Sequence, residues 1–200
     1  MILGAGASSR MGRPKLLLPW RGTTVIGHII QQWQELGAEQ ITIVLRPGDV
    51  PLIAELTRLA FPQSDRIENP QPERGMFSSI LCAANWNGWK PSIASLAVVL
   101  GDQPHLRLET LRALLAFHRE HPSSVCQPEF AGHARHPVLL PRGVFEELKQ
   151  TRAGTLKEFL KLISCPAVQY SMDDAGLSLD LDTPEDYKEA LTQFSAHEKS

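Results

Sequence analysis

The chain has 200 residues, enough for one domain with a buried core and too few for two, so we expect a single domain over residues 1–200. Apolar residues make up 42% of the chain and charged residues 21%, a balance that excludes an extended disordered protein. The net charge of -2 excludes a protein that binds nucleic acid through overall positive charge.

The absence of targeting patterns and the spacing of the cysteines further limit the class of protein. No apolar stretch is long enough to span a membrane and the amino terminus lacks a signal-peptide pattern, so we expect a cytoplasmic protein with no membrane partner. Cys82, Cys126 and Cys165 lack the spacing of a zinc site and are expected to be reduced and mostly buried. Only two residues precede Leu3 in the first apolar run, which raises the expectation of further native residues before Met1.

Apolar runs alternate with helix-length segments along the chain. Buried strands are predicted at residues 2–5, 41–45, 95–101, 124–127 and 136–140. Helices are predicted at residues 24–36, 49–62, 76–86, 109–120, 143–149, 155–162 and 184–194. This alternation predicts an α/β, doubly wound, mainly parallel Rossmann-like sheet with helices on both faces. The prolines and shorter strands of the second half predict an antiparallel edge strand or a small lobe there.

The stretch GAGASSRMGRPK, here named the opening loop (residues 4–15), follows the first predicted strand. In such sheets phosphate groups bind beyond the carboxyl end of that strand. Glycines that adopt positive φ would let the backbone approach a ligand and direct N–H groups at its oxygens, while serine hydroxyls and cations add donors and charge. The residues concerned are Gly4, Gly6, Ser8, Ser9, Arg10 and Lys15. The loop therefore predicts a polyphosphate site; the alternative is an ordinary glycine turn with solvated cations.

Two other phosphate-binding patterns fit less well. The loop lacks the Gly-Lys-Ser/Thr of a Walker motif. Gly4 and Gly6 begin a dinucleotide fingerprint, but Ser9 replaces its third glycine and Pro14 interrupts the helix that should follow. An NAD-binding protein would have an acidic residue after the second strand. This chain has Arg46 there, which suits only the additional phosphate of NADP. An NADP-dependent oxidoreductase stays open as the weaker alternative.

The opening loop, ERGMFSSI (73–80), VVLGDQPHL (98–106) and LDLDTPEDY (179–187) together resemble the molybdenum cofactor guanylyl- and cytidylyltransferase superfamily. The resemblance covers nearly the whole chain and implies a single NTP transferase domain with the fold of nucleotide-diphospho-sugar transferases. Ala5 and the SSRMG run look more like the cytidylyl branch, whose acceptor is molybdopterin. HPVLLPRGVFEEL (136–148) is similar to a segment that helps to hold the pterin in that branch, although Arg135 stands where glycine is expected.

The resemblance also implies roles for individual residues. It implies that Lys15, Arg10 and Asp102 act in catalysis, and that Asp102 with Asp182, or Asp180 in its place, holds Mg²⁺. Nucleotide contacts are implied for Leu3, Gly4, Ala5, Gly6, Ser8, Ser9, Arg10, Lys15, Gly75 and Ser79, and acceptor contacts for Gln103, Pro104, His136 and Pro137.

Some of these residues could instead serve the local structure of the chain. Asp102 could cap a turn before the next helix, although a carboxylate beside phosphates makes sense if a cation lies between them. Asp182 belongs to an excellent helix start, because Pro184 and two acids follow it. Ser78 or Ser79 could be an ordinary N-cap, and His133 and His136 could be surface histidines.

We therefore expect transfer of CMP, or another NMP, from an NTP to the terminal phosphate of molybdopterin, with release of pyrophosphate. A phosphate monoester is already anionic at neutral pH and needs no general base, which agrees with a sequence in which no Ser-His-Asp or Cys-His set is evident. The expected partners are CTP, the phosphorylated acceptor, and a molybdoenzyme or its chaperone. A sugar or polyol phosphate acceptor is the second hypothesis, and a catalytically silent nucleotide-binding protein is a further one.

Overall fold

The computed structural model describes residues 1–6 and 11–197 of the chain. The strands are β1 (Ile2–Leu3), β2 (Pro19–Trp20), β3 (Thr23–Thr24), β4 (Ile43–Leu45), β5 (Arg66–Glu68), β6 (Ser95–Leu100), β7 (Val125–Phe130), β8 (His133–Ala134), β9 (Val138–Pro141) and β10 (Ala167–Ser171). The helices are α1 (Val25–Glu35), α2 (Val50–Arg58), α3 (Met76–Asn85), α4 (Leu108–Glu120), α5 (Arg142–Glu147), α6 (Leu156–Leu162) and α7 (Pro184–His197). Each predicted helix and each predicted strand is present, with ends that shift by a few residues.

The main sheet has the strand order β10-β7-β9-β6-β1-β4-β5, and β8 pairs with β7. β1 lies between β4 and β6 and is parallel to both, with Ile2 opposite Ile43 on one side and Val99 on the other. β4 and β5 are also parallel, as are β7 and β10. The short strands β2 and β3 form a separate antiparallel pair. The prediction of a mainly parallel α/β sheet is confirmed.

Two strands of the main sheet run antiparallel to their neighbours: β9, which lies inside the sheet, and the two-residue β8, which pairs with β7 alone. β9 runs antiparallel to both of its neighbours, β6 and β7. Val138, Leu139 and Leu140 are all buried, because helices or strands cover this strand on every side. A strand with such a continuous apolar run is stable only where both of its faces are covered, which explains why β9 lies in the interior of the sheet.

Apolar clusters fill both faces of the sheet. One contains Ile2, Ile43 and Val99 with side chains from α1, α2, α4 and α7. The other contains Val44 and Val98 with side chains from α3, α5 and α6. Helices therefore cover both faces, as a doubly wound sheet requires. Within the described residues, no helix is both long and apolar enough to cross a membrane.

Candidate active site

The carboxyl ends of the central parallel strands form one edge at which several loops meet. β1 and β6 are adjacent, with Leu3 opposite Leu100, so the opening loop and the segment that begins at Gly101 leave the sheet side by side. A cavity of about 460 Å³ lies at this edge. It is lined by Leu3, Gly4, Ala5, Gly6, Lys15, Leu16, Pro72, Gly75, Met76, Ser79, Leu100, Gly101, Asp102, Asp180 and Asp182.

Glycines allow these two loops to come together. A Cβ on Gly101 would lie 2.6 Å from the Leu3 carbonyl oxygen, closer than a side chain tolerates. A Cβ on Gly4 would lie 3.1 Å from the carbonyl oxygen of Val44. Glycine is therefore required after β6 for steric reasons, and a side chain at position 4 would crowd β4.

Gly4 and Gly6 do not adopt the backbone conformation that we expected. In the described part of the opening loop, positive φ occurs at Gly12, whose φ is 70°, and not at these two residues. The N–H of Gly4 donates to the Val44 carbonyl oxygen at 2.7 Å, so it extends the sheet and does not point at a ligand. What Gly4 supplies is its missing side chain, whereas Gly6 is exposed at the cavity.

A lysine and two aspartates meet at the wall of the cavity, and we name Asp102 and Asp182 the carboxylate pair. Lys15 Nζ donates to Asp102 Oδ2 at 2.7 Å and to Asp182 Oδ1 at 2.9 Å. The three side chains come from segments that are 87 and 167 residues apart in the chain. Because their side-chain exposures are only 13% for Lys15 and 23% and 28% for the pair, the charges interact with limited screening by water.

Neither aspartate is used as a helix cap. At the start of α7, the N–H and hydroxyl of Thr183 donate to Asp186 Oδ2, and the N–H of Asp186 donates back to the Thr183 hydroxyl at 3.2 Å. This reciprocal cap leaves the side chain of Asp182 turned towards Lys15. α4 begins after Arg107 without a side-chain cap, so Asp102 does not cap it.

The charges of the site shift two pKa values. Burial of the Lys15 amine opposes its charge, but the field and hydrogen bonds of Asp102 and then Asp182 outweigh burial and raise the pKa of Lys15 above its ordinary value. Lys15 therefore keeps its positive charge at neutral pH. Asp180 lies at the rim of the cavity, where partial loss of hydration and then the charge of Asp102 raise its pKa.

A third segment closes the cavity from the side of α3. Gly75 has a φ of 83° and stands at the N-cap position of this helix, which no side chain caps. Ser79 is buried and its hydroxyl accepts a hydrogen bond from Asn69 Nδ2 at 3.0 Å, whereas the Ser78 hydroxyl donates to the Gly75 carbonyl oxygen. The two serines are thus not N-caps, and Gly75 and Ser79 both face the cavity.

The residues expected to bind the acceptor lie around the cavity and do not line it. Gln103 is buried and its side-chain amide donates to Asp180 Oδ1 at 2.9 Å. Pro104 and Pro137 are buried, and His136 is half-buried with Nδ1 3.3 Å from the Val98 carbonyl oxygen. Burial lowers the pKa of His136, so this imidazole is neutral at physiological pH.

The expected contacts of Ser8, Ser9 and Arg10 lie outside the described residues. Several lining residues had been given no role from the sequence, namely Leu16, Pro72, Met76 and Leu100. Met76 is 43% exposed, an unusual position for a large apolar side chain. Its position directly after Gly75, at the start of a helix, was the sequence signal that could have indicated a place for Met76 in the cavity.

The carboxylate pair has the chemistry of a site for a hard divalent cation. Its oxygens already share one cation, the Lys15 ammonium, so a single positive ion can bridge them. No group of three or more His, Cys, Asp or Glu within the described range could form a metal cage. In phosphoryl-transfer sites, Mg²⁺ is commonly bound by one or two carboxylates, and its other coordination positions are filled by water and by substrate phosphates.

The fold and this edge define an α/β nucleotidyltransferase: a doubly wound sheet in which a glycine-rich loop and carboxylates meet beyond the central strands. Residues 1–170 match the family described as the MobA-like NTP transferase domain, and the chain belongs to that family. The expected membership and fold class are confirmed.

Individual relatives differ in their described activities. The chain is 24% identical to the molybdenum cofactor cytidylyltransferase of Escherichia coli K12 over 98% of this chain and 96% of that protein. It is 28% identical to the nicotine blue oxidoreductase of Paenarthrobacter nicotinovorans over 92% of each protein. A similar solved structure is the manganese complex of Rv0371C from Mycobacterium tuberculosis H37Rv, with 27% identity, a TM-score of 0.65 and coverage of 96% of each chain.

Proposed function

We propose that this protein transfers CMP from CTP to the terminal phosphate of molybdopterin and releases pyrophosphate, with Mg²⁺ as the metal. The observation that carries the proposal is the convergence of Lys15, Asp102 and Asp182 in one cavity beside the opening loop. Cations and a metal-binding carboxylate pair are the groups that a reaction between two phosphate-bearing anions requires.

The chemical step needs positioning more than proton transfer. An acceptor phosphate oxygen attacks the α-phosphorus of CTP, the bond between that phosphorus and the bridging oxygen of the β-phosphate breaks, and pyrophosphate leaves with the electron pair. The attacking oxygen is already anionic at neutral pH, since the second pKa of a phosphate monoester is about 6. The protein has to hold two anions together and stabilise the charge that develops on pyrophosphate.

The chain's own groups suit these tasks. Lys15 is charged at neutral pH and can meet the phosphates with three donors on a flexible side chain. Gly4, which has no side chain, and Ala5, whose side chain is a single methyl group, line the cavity and leave room for a nucleotide beyond β1. Asp102 and Asp182 would hold Mg²⁺, which when bound would reduce the repulsion between the two anionic reactants.

The choice of CTP and of molybdopterin rests on the sequence relatives. Ala5 and the SSRMG run resemble the cytidylyl branch, and the Escherichia coli relative described as a cytidylyltransferase covers almost all of the chain. A molybdoenzyme or its chaperone is the proposed recipient of the product.

The proposal is tested by measuring pyrophosphate release with CTP, GTP, ATP or UTP, with Mg²⁺ or Mn²⁺, and with molybdopterin or sugar phosphates as acceptors. We expect release that requires molybdopterin, with a kcat/KM for CTP about tenfold or more above that for GTP. Release that depends on a sugar phosphate would transfer the function to that acceptor class. No release with any pair, together with a larger thermal shift from NADPH than from CTP plus Mg²⁺, would overturn nucleotidyl transfer in favour of an oxidoreductase.

A further inference from the structure

The ammonium of Lys15 occupies the position between the two carboxylates to which the proposed function assigns the metal. Its Nζ lies 2.7 Å from one oxygen of Asp102 and 2.9 Å from one oxygen of Asp182. These are charge-assisted hydrogen-bond distances, so both interactions are fully formed. One positive charge from within the chain thus offsets part of the negative charge of the carboxylate pair.

A divalent ion on the same oxygens would compete with this ammonium. Mg²⁺ would bind these carboxylate oxygens at about 2.0–2.1 Å, so it would compete with Nζ for them. If both cations stayed on the pair, they would stand within about 4 Å of each other and repel strongly in a site with limited water. Binding of one cation therefore requires movement of the other.

The Lys15 ammonium can also reach a second position within the cavity. It lines the same cavity as the small residues that follow β1, and the proposed function puts the triphosphate there. The ammonium sits on a flexible four-carbon stem, so rotation of side-chain bonds can turn it from the carboxylates towards that space without movement of the backbone. A triphosphate carries more negative charge than the pair and would draw the ammonium away.

We infer that Lys15 acts as an internal counter-ion that closes the carboxylate pair to divalent ions and opens it when a nucleoside triphosphate binds. The metal then binds together with the nucleotide and not before it. Such coupling is reciprocal, so the metal also strengthens nucleotide binding. The inference rests on the proposed function for the roles of the carboxylate pair and of the triphosphate.

Mn²⁺ binding without nucleotide tests the inference directly, by electron paramagnetic resonance of unbound Mn²⁺ or by calorimetry. The variant Lys15→Met removes the charge and keeps the length of the side chain. We expect it to bind Mn²⁺ at least about tenfold more tightly than the wild type, a difference of about 1.4 kcal/mol. The wild type should gain a similar factor only when a non-hydrolysable CTP analogue is present.

Two further variants locate the effect. Lys90→Met removes an exposed ammonium that donates to the Glu39 carbonyl oxygen away from the cavity, and it should bind Mn²⁺ as the wild type does. In Lys15→Met/Asp102→Asn, the gain in Mn²⁺ affinity should disappear, because one carboxylate of the pair is lost. Should Lys15→Met be unstable, the rise of its melting temperature with added Mn²⁺ gives a second readout, expected to exceed that of the wild type.

The outcomes separate the inference from the proposed function. If Lys15→Met binds Mn²⁺ no more tightly than the wild type while the wild type releases pyrophosphate from CTP, the counter-ion role is wrong and the function stands. If Lys15→Met gains Mn²⁺ affinity but the wild type transfers no nucleotide, the gating of the carboxylate pair stands and the proposed function is wrong.

Discussion

At the scale of single residues, the decisive feature is one ammonium shared by two carboxylates that are distant in sequence. Asp102 follows a central strand and Asp182 precedes a helix, and each could have been used for local capping. Instead, Thr183 and Asp186 cap α7 between themselves, and α4 starts without a side-chain cap. Both helices thus begin without a cap from either aspartate, and the two carboxylates face Lys15 in the cavity, where they could meet a ligand.

The first prediction concerns Asp102. Asp102→Asn keeps the size of the side chain and the carbonyl oxygen that accepts the N–H of Leu181, but it removes one negative charge from the carboxylate pair. We expect kcat for pyrophosphate release to fall by roughly 10²–10³-fold with the fold intact, since one preorganised charge is lost. Steady-state kinetics and thermal melting measure the two effects. Glu146→Gln, which removes a surface carboxylate that pairs with Arg142, is the control and should keep wild-type activity. Wild-type turnover by Asp102→Asn would show that Asp102 is not part of the active site.

The second prediction concerns acid stability and His28. Burial, and then the charge of Arg21, lower the pKa of His28 to about 4. The folded protein therefore keeps this ring neutral at pH values where the unfolded chain, with a pKa near ~6.5, binds a proton. The free energy of unfolding is therefore unaffected by the protonation of His28 above about pH 6.5 and decreases as the pH falls towards 4. We expect the decrease to reach about 1–3 kcal/mol for this partly exposed ring.

Urea unfolding at pH 7.5 and at pH 5 tests this prediction. His28→Phe should lose less stability between the two pH values than the wild type does, because the ring that must be protonated on unfolding is gone. His133→Phe, on the exposed strand β8, should follow the wild type. Equal losses in all three proteins would show that His28 does not contribute.

At the scale of secondary-structure elements, the site depends on how closely two parallel strands end beside each other. β1 and β6 are paired up to Leu3 and Leu100, and the next residue after β6, Gly101, touches the backbone of β1. The position of the Asp102 carboxylate is set by this contact, because only one residue separates it from the strand. The elements thus fix the site more firmly than the loops could alone.

The third prediction is that Gly101→Ala damages both stability and activity. The new Cβ would stand 2.6 Å from the Leu3 carbonyl oxygen, so backbone must shift, at a cost of roughly 1–3 kcal/mol. The shift would move Asp102 away from Lys15 and lower kcat.

Gly143→Ala is the matched control for this change. Gly143 lies in α5, where a Cβ would meet nothing within 4 Å. Alanine should leave activity unchanged and stabilise the helix by about 0.5–1 kcal/mol. Urea unfolding and kinetics on both variants separate a steric effect at β6 from a general effect of adding a methyl group; equal stability of the two variants would contradict the prediction.

At the scale of the whole molecule, the carboxyl-terminal segment has to be held against the sheet for the site to be complete. Asp174 is buried and accepts hydrogen bonds from Arg107 Nε, from the Thr110 hydroxyl and from the N–H of Gly176. His105 Nε2 lies 2.9 Å from the Gly176 carbonyl oxygen, which ties the same turn to the segment after β6. The segment that carries Asp182 is thereby joined to α4 and to the β6 loop.

The fourth prediction follows from this connection. Asp174→Ala removes three hydrogen bonds and leaves Arg107 and Thr110 without their carboxylate, so we expect a loss of about 1.5–3 kcal/mol in the free energy of unfolding. Because the displaced segment carries Asp182, the concentration of Mn²⁺ needed for half-maximal activity should rise.

Asp173→Ala is the control for Asp174→Ala. Its side chain is exposed, and the interaction that it offers to Arg107 comes from its backbone carbonyl oxygen, which the substitution keeps. It should match the wild type in urea unfolding and in Mn²⁺ dependence. An Asp174→Ala protein with wild-type values in both measurements would show that this network does not hold the site together.

The sequence predicted the elements whose signal is local. α1 has Ile26, Ile29, Ile30 and Trp33 on its buried face, and such a stripe forms wherever a helix covers a core. β6 is an unbroken apolar run, which predicts a strand covered on both sides. In contrast, β5 has only three residues, and in β10 half-buried residues alternate with exposed ones at the sheet edge, so neither has the long apolar run that predicts a buried strand.

The sequence by itself determined the class of fold, because apolar periodicity is a local signal. It also predicted the loops of the candidate site, from glycine and charge positions and from a family resemblance. Only the tertiary structure decided that β9 lies inside the sheet, that Lys15 bridges Asp102 and Asp182, and that Gln103, Pro104 and Pro137 are buried beside the cavity instead of lining it. The physical reason is that pairing between strands and contacts between charges join residues far apart in the chain. Such partners are chosen by the packing of the whole molecule and leave no local pattern.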